Sequence, residues 1–312
     1  DDSVLIVFPQ FDNRGVDAIQ FVLAQFCSPT TPTFTPVRHK SVSLALKKGS
    51  IESEEIRGDR QISDYRHGTQ QVGGDVEVEL SYGSFDTLLE ACLGGTWSTN
   101  VLLAGTTRRS FTFERRFADM SSSSQYHRFT GCEIASLKLG VTPDKIVSAS
   151  FGIVGQGLSL SNTAISGATY SATSTTMPIT GFGGSITEGG SAIAVITEIQ
   201  LTLENGIEPR YVVGSAQTIR PAIGRSKLTG QITCYFEDVS LLNKFINETE
   251  SSLYFELQDT AGNELQFEIP RIKYTGGQPD VKGEGPITIS LPFQALYNSS
   301  DSSQIVITRV PA

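Results

Sequence analysis

The chain spells one spacing twice. Gly58, Gln61, Gly68 and Gly74 recur as Gly214, Gln217, Gly224 and Gly230, each pair 156 residues apart. A sequence that repeats itself at long range is constrained to fold as two like units. The agreement runs on from the glycines. GDVEVEL at 74–80 lines up with GQITCYF at 230–236, and both alternate apolar and polar residues as half-buried strands do. SLALKKG, ending at Gly49, has a partner in LTLENG, ending at Gly206, one residue off that register.

A helix is predicted next in each half. Ser84 is placed to cap the first, with Phe85, Leu88, Leu89, Cys92 and Leu93 on one face and Gly94-Gly95 as the stop. Asp238 is placed to cap the second, with Val239, Leu241, Leu242, Phe245 and Ile246 as its stripe. Here the register has slipped by three residues, as a short deletion produces. Strand signals follow in matching order: Phe111–Phe117 with Leu253–Leu257, Phe129–Leu139 with Phe267–Tyr274, Val147–Ile153 with Ile287–Phe293. Each unit reads as strand, long polar loop, strand, one helix, then several strands. The expected division is an arm at 1–37, a first domain at 38–157 and a Ser/Thr/Gly-rich linker or small insertion at 158–196. A second domain at 197–297 and a tail at 298–312 complete it. In the arm, Ala18, Ile19, Val22 and Phe26 suggest a short helix. Pro29, Pro32 and Pro36 then impose extended chain.

The long loops span 49–73 and 206–229. The first is dense in charge: Glu52, Glu54, Glu55, Arg57, Asp59, Arg60, Asp64, Arg66 and His67. So long a loop in a compact domain is often functional; this one is either solvated or ordered by a neighbouring subunit.

Composition limits the chemistry. Charged residues make up 18%, Gly numbers 30, and the net charge is −9. Gripping phosphates needs Lys and Arg, so an acidic chain is a poor nucleic-acid binder. It suits a surface that DNA must pass without sticking. Cys27, Cys92, Cys132 and Cys234 form no CxxC pair and read as buried reduced thiols. No apolar run nears the roughly 18 residues of a membrane span; a soluble protein made in a reducing compartment is expected. His39, His67 and His127 are scattered without ligand spacing, so no metal site is implied. There is no nucleophile elbow and no phosphate-binding loop. No cofactor is implied, and the Arg57-Gly58-Asp59 tripeptide is short enough to arise by chance.

The stretch IESEEIRGDRQISDYRHGTQQVGGDVEVELSYGSFDTLLEACLGGTW (51–97) resembles the tail tube family of siphophages, the long non-contractile tailed bacteriophages. TTRRSFTFERRF (106–117) and YHRFTGCEIASLKLG (126–140) extend the likeness, which covers about 37–157 well and the second half more weakly. It implies a mainly β fold: two tandem β-sandwich or barrel domains, each with one flanking helix. It also implies a structural role in the virion tail, made in the host cytoplasm, and no enzyme. Strands of neighbouring domains would join into a barrel around a lumen that conducts double-stranded DNA without reading its sequence. Two domains per chain suggest a trimeric ring with pseudo-six-fold symmetry, stacked into a tube; a hexamer with one domain lining the lumen is the alternative. Further partners would be the tape measure, terminator and baseplate proteins, with no membrane. The family's C-terminal immunoglobulin-like decoration is not expected here.

Asp75, Glu77 and Glu79 on one strand face, with Glu198 and Glu204 on another, are candidates for carboxylates facing the lumen. An outer solvated face or salt bridges between rings remain open for them. Arg108, Arg109, Arg115 and Arg116 are candidates for salt bridges across a subunit interface. Two competing classes are a β-sandwich adhesin or decoration protein and a glycan-active enzyme with convergent carboxylates.

Overall fold

The computed structural model describes residues 4–6, 32–117, 125–181, 183–193, 195–280 and 285–312. The expected helix around Ala18–Phe26, Pro29 and Cys27 lie outside the described residues. The first half holds β1 (Val4–Ile6), β2 (Thr33–Thr35), β3 (Ser41–Val42), β4 (Ala45–Glu52), β5 (Tyr65–Glu79) and α1 (Asp86–Leu93). It continues with β6 (Val101–Leu103), β7 (Phe111–Arg116), β8 (Tyr126–Val141) and β9 (Ser148–Gly155). Between the halves run β10 (Gly157–Ser161), β11 (Thr169–Tyr170), β12 (Ile186–Glu188) and β13 (Ser191–Ala192). The second half holds β14 (Ile196–Glu204), β15 (Glu208–Arg210), β16 (Ile219–Ala222), β17 (Lys227–Tyr235) and α2 (Ser240–Ile246). It closes with β18 (Ser251–Gln258), β19 (Glu264–Tyr274), β20 (Gln278–Asp280), β21 (Thr288–Ala295) and β22 (Val306–Val310).

The fold is mainly β, and one pairing order occurs twice. In the first half the antiparallel order is β4–β5–β9–β8–β7. In the second it is β14–β17–β21–β19–β18. Equivalent residues hold equivalent rungs: Gly74 pairs with Ile153, and Gly230 with Phe293. β8 is a single bent strand with a register shift between Ile134 and Ser136. Its counterpart is split into β19 and β20, which both pair with β21.

Alternation drives the layering. Val76, Val78 and Leu80 are buried while Asp75, Glu77 and Glu79 are exposed, so one face of β5 meets a core and the other meets water. Phe85, Phe111, Phe113, Phe129 and Phe151 fill the first half; Phe255, Phe267 and Phe293 fill the second. The two cores form one contiguous cluster. Gly74 and Gly230 sit where strands approach too closely for a side chain. A Cβ on Gly74 would lie 2.5 Å from the Ser43 carbonyl oxygen, and one on Gly230 would lie 2.8 Å from that of Gln200.

Four expectations need correction. Ser84 does not cap α1; its hydroxyl bonds to Ser81 and Ser174 instead. The first long loop shrinks to 53–64, because β4 and β5 run on as a projecting ladder from Lys48–Gln70 to Glu52–Tyr65. Backbone pairing carries that ladder, and its exposed residues show no apolar alternation to read. The segment between the halves, expected as a linker or a small insertion, carries strands: β10 pairs with β8, β12 pairs with β18, and Ile179 is fully buried. Residues 298–312 are no tail, since β22 lies between β19 and β6 with Ile307 buried. Nor is Asp238 the N-cap of α2, which is Val239, though from one residue further out it accepts the Ser240 N–H at 2.7 Å.

Gly74→Ala and Gly230→Ala force backbone and ring shifts at these crossings, and each is expected to cost about 1–3 kcal/mol. The denaturation midpoints of purified variants measure this; Gly58, with open space around it, should tolerate Ala with little change.

Candidate assembly interface

The two halves meet edge to edge. Ser136–Val141 of β8 pairs antiparallel with Ile199–Glu204 of β14, so β4–β5–β9–β8–β14–β17–β21–β20 is one continuous sheet. Its end strands have a partner on one side only. Among the described residues, β3 and β4 pair with β5 alone, and β20 pairs with β21 alone. The Ser43 N–H bonds to Asp75 O, which turns the backbone of Val42, Leu44 and Leu46 outward. An unpaired edge is a template for another strand.

Side chains reinforce the junction between the halves. Glu133, buried on β8, holds Arg108 at 2.6 Å and Arg220 at 3.4 Å, the second reaching over from the loop after β14. Asn205 donates to Cys92 O at 2.7 Å and to Ile134 O at 3.2 Å, satisfying a carbonyl near the end of α1. The loop continues across β5, where Gln70 N–H donates to Ala216 O and Tyr211 OH to Gln71 Oε1. From the other side Arg309 of β22 pairs with Asp86 and stacks 4.2 Å above Trp97. Burial raises the Asp86 pKa, against the pull of Arg309. Sequence reasoning missed Glu133, Asn205, Arg220 and Arg309. The one available signal was a carboxylate wedged between Cys132 and Ile134 in an otherwise apolar run.

The five candidate carboxylates share one face of the continuous sheet, opposite the core. Asp75, Glu77, Glu79 and Glu204 are exposed and Glu198 is half-buried. Small polar residues surround them: Ser41 donates to Glu77 at 2.8 Å, and Gln200 donates to Glu198 at 2.7 Å. Lys47, Lys138 and Lys227 stand on the same face, so it is acidic but mixed.

The four candidate arginines find intrachain company. Arg108 meets Glu133, and Arg109 meets Glu90 at 3.4 Å. Arg115 lies over Phe129 and Arg116 over Tyr126. Bridges between subunits are therefore not required to satisfy Arg108 or Arg109. The loop residues stay exposed. Arg57 pairs with Asp59, Arg66 pairs with Asp64, and Glu52, Glu54, Glu55 and Arg60 face solvent. Ile56 and Ile62 on the same loop are exposed as well.

At the mouth of a cleft of about 450 Å³, Glu188 is taken up by Lys244, Ser251 and Tyr274. Among the described residues no three of His, Cys, Asp and Glu gather as metal ligands. Cys92, Cys132 and Cys234 are buried free thiols, and burial pushes the Cys234 pKa up to about 11. No helix is long and apolar enough to cross a membrane.

Fold and edges together describe paired β-sandwich units in one sheet whose end strands, among the described residues, are paired on one side only. The family model described as phage tail tube protein matches residues 19–295, and the chain belongs to that family. It is thus a structural component of a phage tail. No curated protein matches the chain.

Arg108→Ala strands the buried Glu133 with one distant cation and is expected to cost roughly 3 kcal/mol. Arg220→Ala, at a half-exposed side chain, should cost about 1 kcal/mol or less. Chemical denaturation of the two variants distinguishes them.

Proposed function

We propose that this chain is the wall-building unit of a siphophage tail tube, with no catalytic role. Three copies close into a ring of pseudo-six-fold symmetry, rings stack, and the polar sheet face lines the bore through which double-stranded DNA passes. The carrying observation is the β8–β14 ladder. It joins two like sandwiches into one wall inside the chain and leaves the same two kinds of edge open at its ends. The domains are those of 38–157 and 197–297, now with β22 completing the second and bracing the first.

Geometry favours three copies. Each chain supplies eight strands to the continuous sheet, so three supply 24. At ~4.8 Å per strand that is a wall about 37 Å across before tilt, and about 45–52 Å with a tilt of 35–45°. Such a wall leaves room for a duplex after side chains are subtracted. Six copies in one wall would double it. A hexamer lined by one domain per chain sits poorly with a ladder that puts both halves in one sheet. Asp75, Glu77, Glu79, Glu198 and Glu204 would then repel phosphates and keep DNA from trapping. The projecting β4–β5 ladder and its loop, with Glu52, Glu54, Glu55, Arg57, Asp59, Arg60, Asp64 and Arg66, reach adjacent subunits or rings. Tape measure, terminator and baseplate proteins would meet the tube inside and at its ends. Assembly takes place in the host cytoplasm and the product resides in the virion.

Negative-stain electron microscopy of purified protein should show rings of uniform bore or long tubes, with three chains per ring by light scattering. Isolated particles at high concentration would sink the reading and favour an adhesin or decoration protein. Reversing the lumen charges in Asp75→Lys/Glu77→Lys/Glu79→Lys phage should leave tubes intact by microscopy but lower infectivity by about tenfold or more, through stalled DNA exit.

A further inference from the structure

The internal junction is a template for the external one, residue by residue. β14 stands to β17 as β3–β4 stands to β5: Ile199 opposes Ile232 as Val42 opposes Val76, and Leu203 opposes Leu228 as Leu46 opposes Val72. β20 stands to β21 as the end of β8 stands to β9: Gln278 opposes Ser290 as Lys138 opposes Ser150. Within the chain Thr202 faces Lys138, Leu201 faces Leu139 and Leu203 faces Leu137. Carried onto the free edges, Ala45 faces Gln278, Leu44 faces Pro279 and Leu46 faces Gly277 of the next copy.

The long loops carry the same transposition. By the repeat's own register, Arg220 corresponds to Asp64 and Tyr211 to Glu55, while Gln71 corresponds to Lys227. By strand pairing, Glu133 opposes Val154 as Lys273 opposes Gln294, so Glu133 corresponds to Lys273. Inside the chain the loop pair is Arg220 with Glu133; at the free edge the same positions hold Asp64 and Lys273, with both signs reversed. The neutral contact of Tyr211 with Gln71 becomes Glu55 with Lys227. Lys273 already stands 3.8 Å from Glu250. A second carboxylate there would mirror Glu133 between its two arginines.

We infer that a second copy of this chain docks its β3–β4 edge on β20 in this register, and that Asp64 and Glu55 of its loop bind Lys273 and Lys227. The inference rests on the tube reading above. Two features differ from the internal copy. Pro279 has no N–H to donate, so the outer ladder holds one bond fewer. Arg115 holds the Leu44 carbonyl at 3.3 Å and would share or yield it. Lys273 has the 3.8 Å contact with Glu250, Lys227 lies opposite Glu204 across the ladder, and Asp64 gives up Arg66, an exposed partner of small worth.

Ala45 and Gln278 would form a non-hydrogen-bonded pair, about 4.5 Å between Cα atoms, within disulfide reach. In a Cys27→Ser background, oxidised Ala45→Cys/Gln278→Cys chains should give covalent dimers and trimers on a non-reducing gel. Ala45→Cys/Ser290→Cys, one strand further away, should stay monomeric. Asp64→Lys or Lys273→Asp alone should cut ring yield by about tenfold or more, and the Asp64→Lys/Lys273→Asp double should recover it. Rings that form without the cross-link and ignore the single reversals overturn the register while the tube reading stands. Chains that never assemble overturn both.

Discussion

Every level of this structure answers to the unpaired strand edge. A β-sheet satisfies its interior backbone groups and leaves a row unsatisfied at each end. One sandwich alone would carry two such ends. Covalent linkage of two sandwiches converts one pair of edges into the β8–β14 ladder and leaves the other pair unchanged. The chain thus keeps as many open ends as a single unit, and in the proposed wall half of the junctions would no longer depend on protomer concentration.

The asymmetry of the two helices follows from that linkage. Leu88, Leu89, Cys92 and Leu93 of α1 are buried, whereas no residue of α2 is. The sequences differ less than the environments. α1 lies at the internal junction, where Asn205 meets its last turn and Arg309 meets its first. The corresponding flank of α2 lies toward the open end, with Val239 and Ile246 exposed.

Much of the fold was legible because apolar period and glycine spacing report local geometry. Val76-Val78-Leu80, the stripe of α1 and the left-handed Gly94 stop all hold. What was illegible depends on contacts between distant segments. β22 is a five-residue strand rich in β-branched residues, so its local sequence favours a strand, but its place between β6 and β19 is set by those distant partners. The β4–β5 arm is a ladder of backbone bonds under a polar sequence, so charge density read as loop. For the candidate site, the shared face of the carboxylates followed from alternation. The company of the arginines did not, because Glu133 and Glu90 come from strand and helix positions that the pattern alone leaves apart.

Sign reversal between the two junctions has a consequence for specificity. Two like sandwiches in one chain could pair in wrong combinations, such as a first-half edge on the first half of another copy. The ladder alone barely distinguishes these, since backbone groups are alike everywhere. The loop charges do distinguish them. A first-half loop on a first-half sheet would set Asp64 against Glu133, and a second-half loop on a second-half sheet would set Arg220 against Lys273. Like charges brought together in a desolvating contact cost several kcal/mol, enough to reject either arrangement. In the proposed ring, only the alternating order, first half to second half, would put opposite charges at every junction. On the proposed docking, a divergence that looks like decay of the repeat would encode its order of assembly.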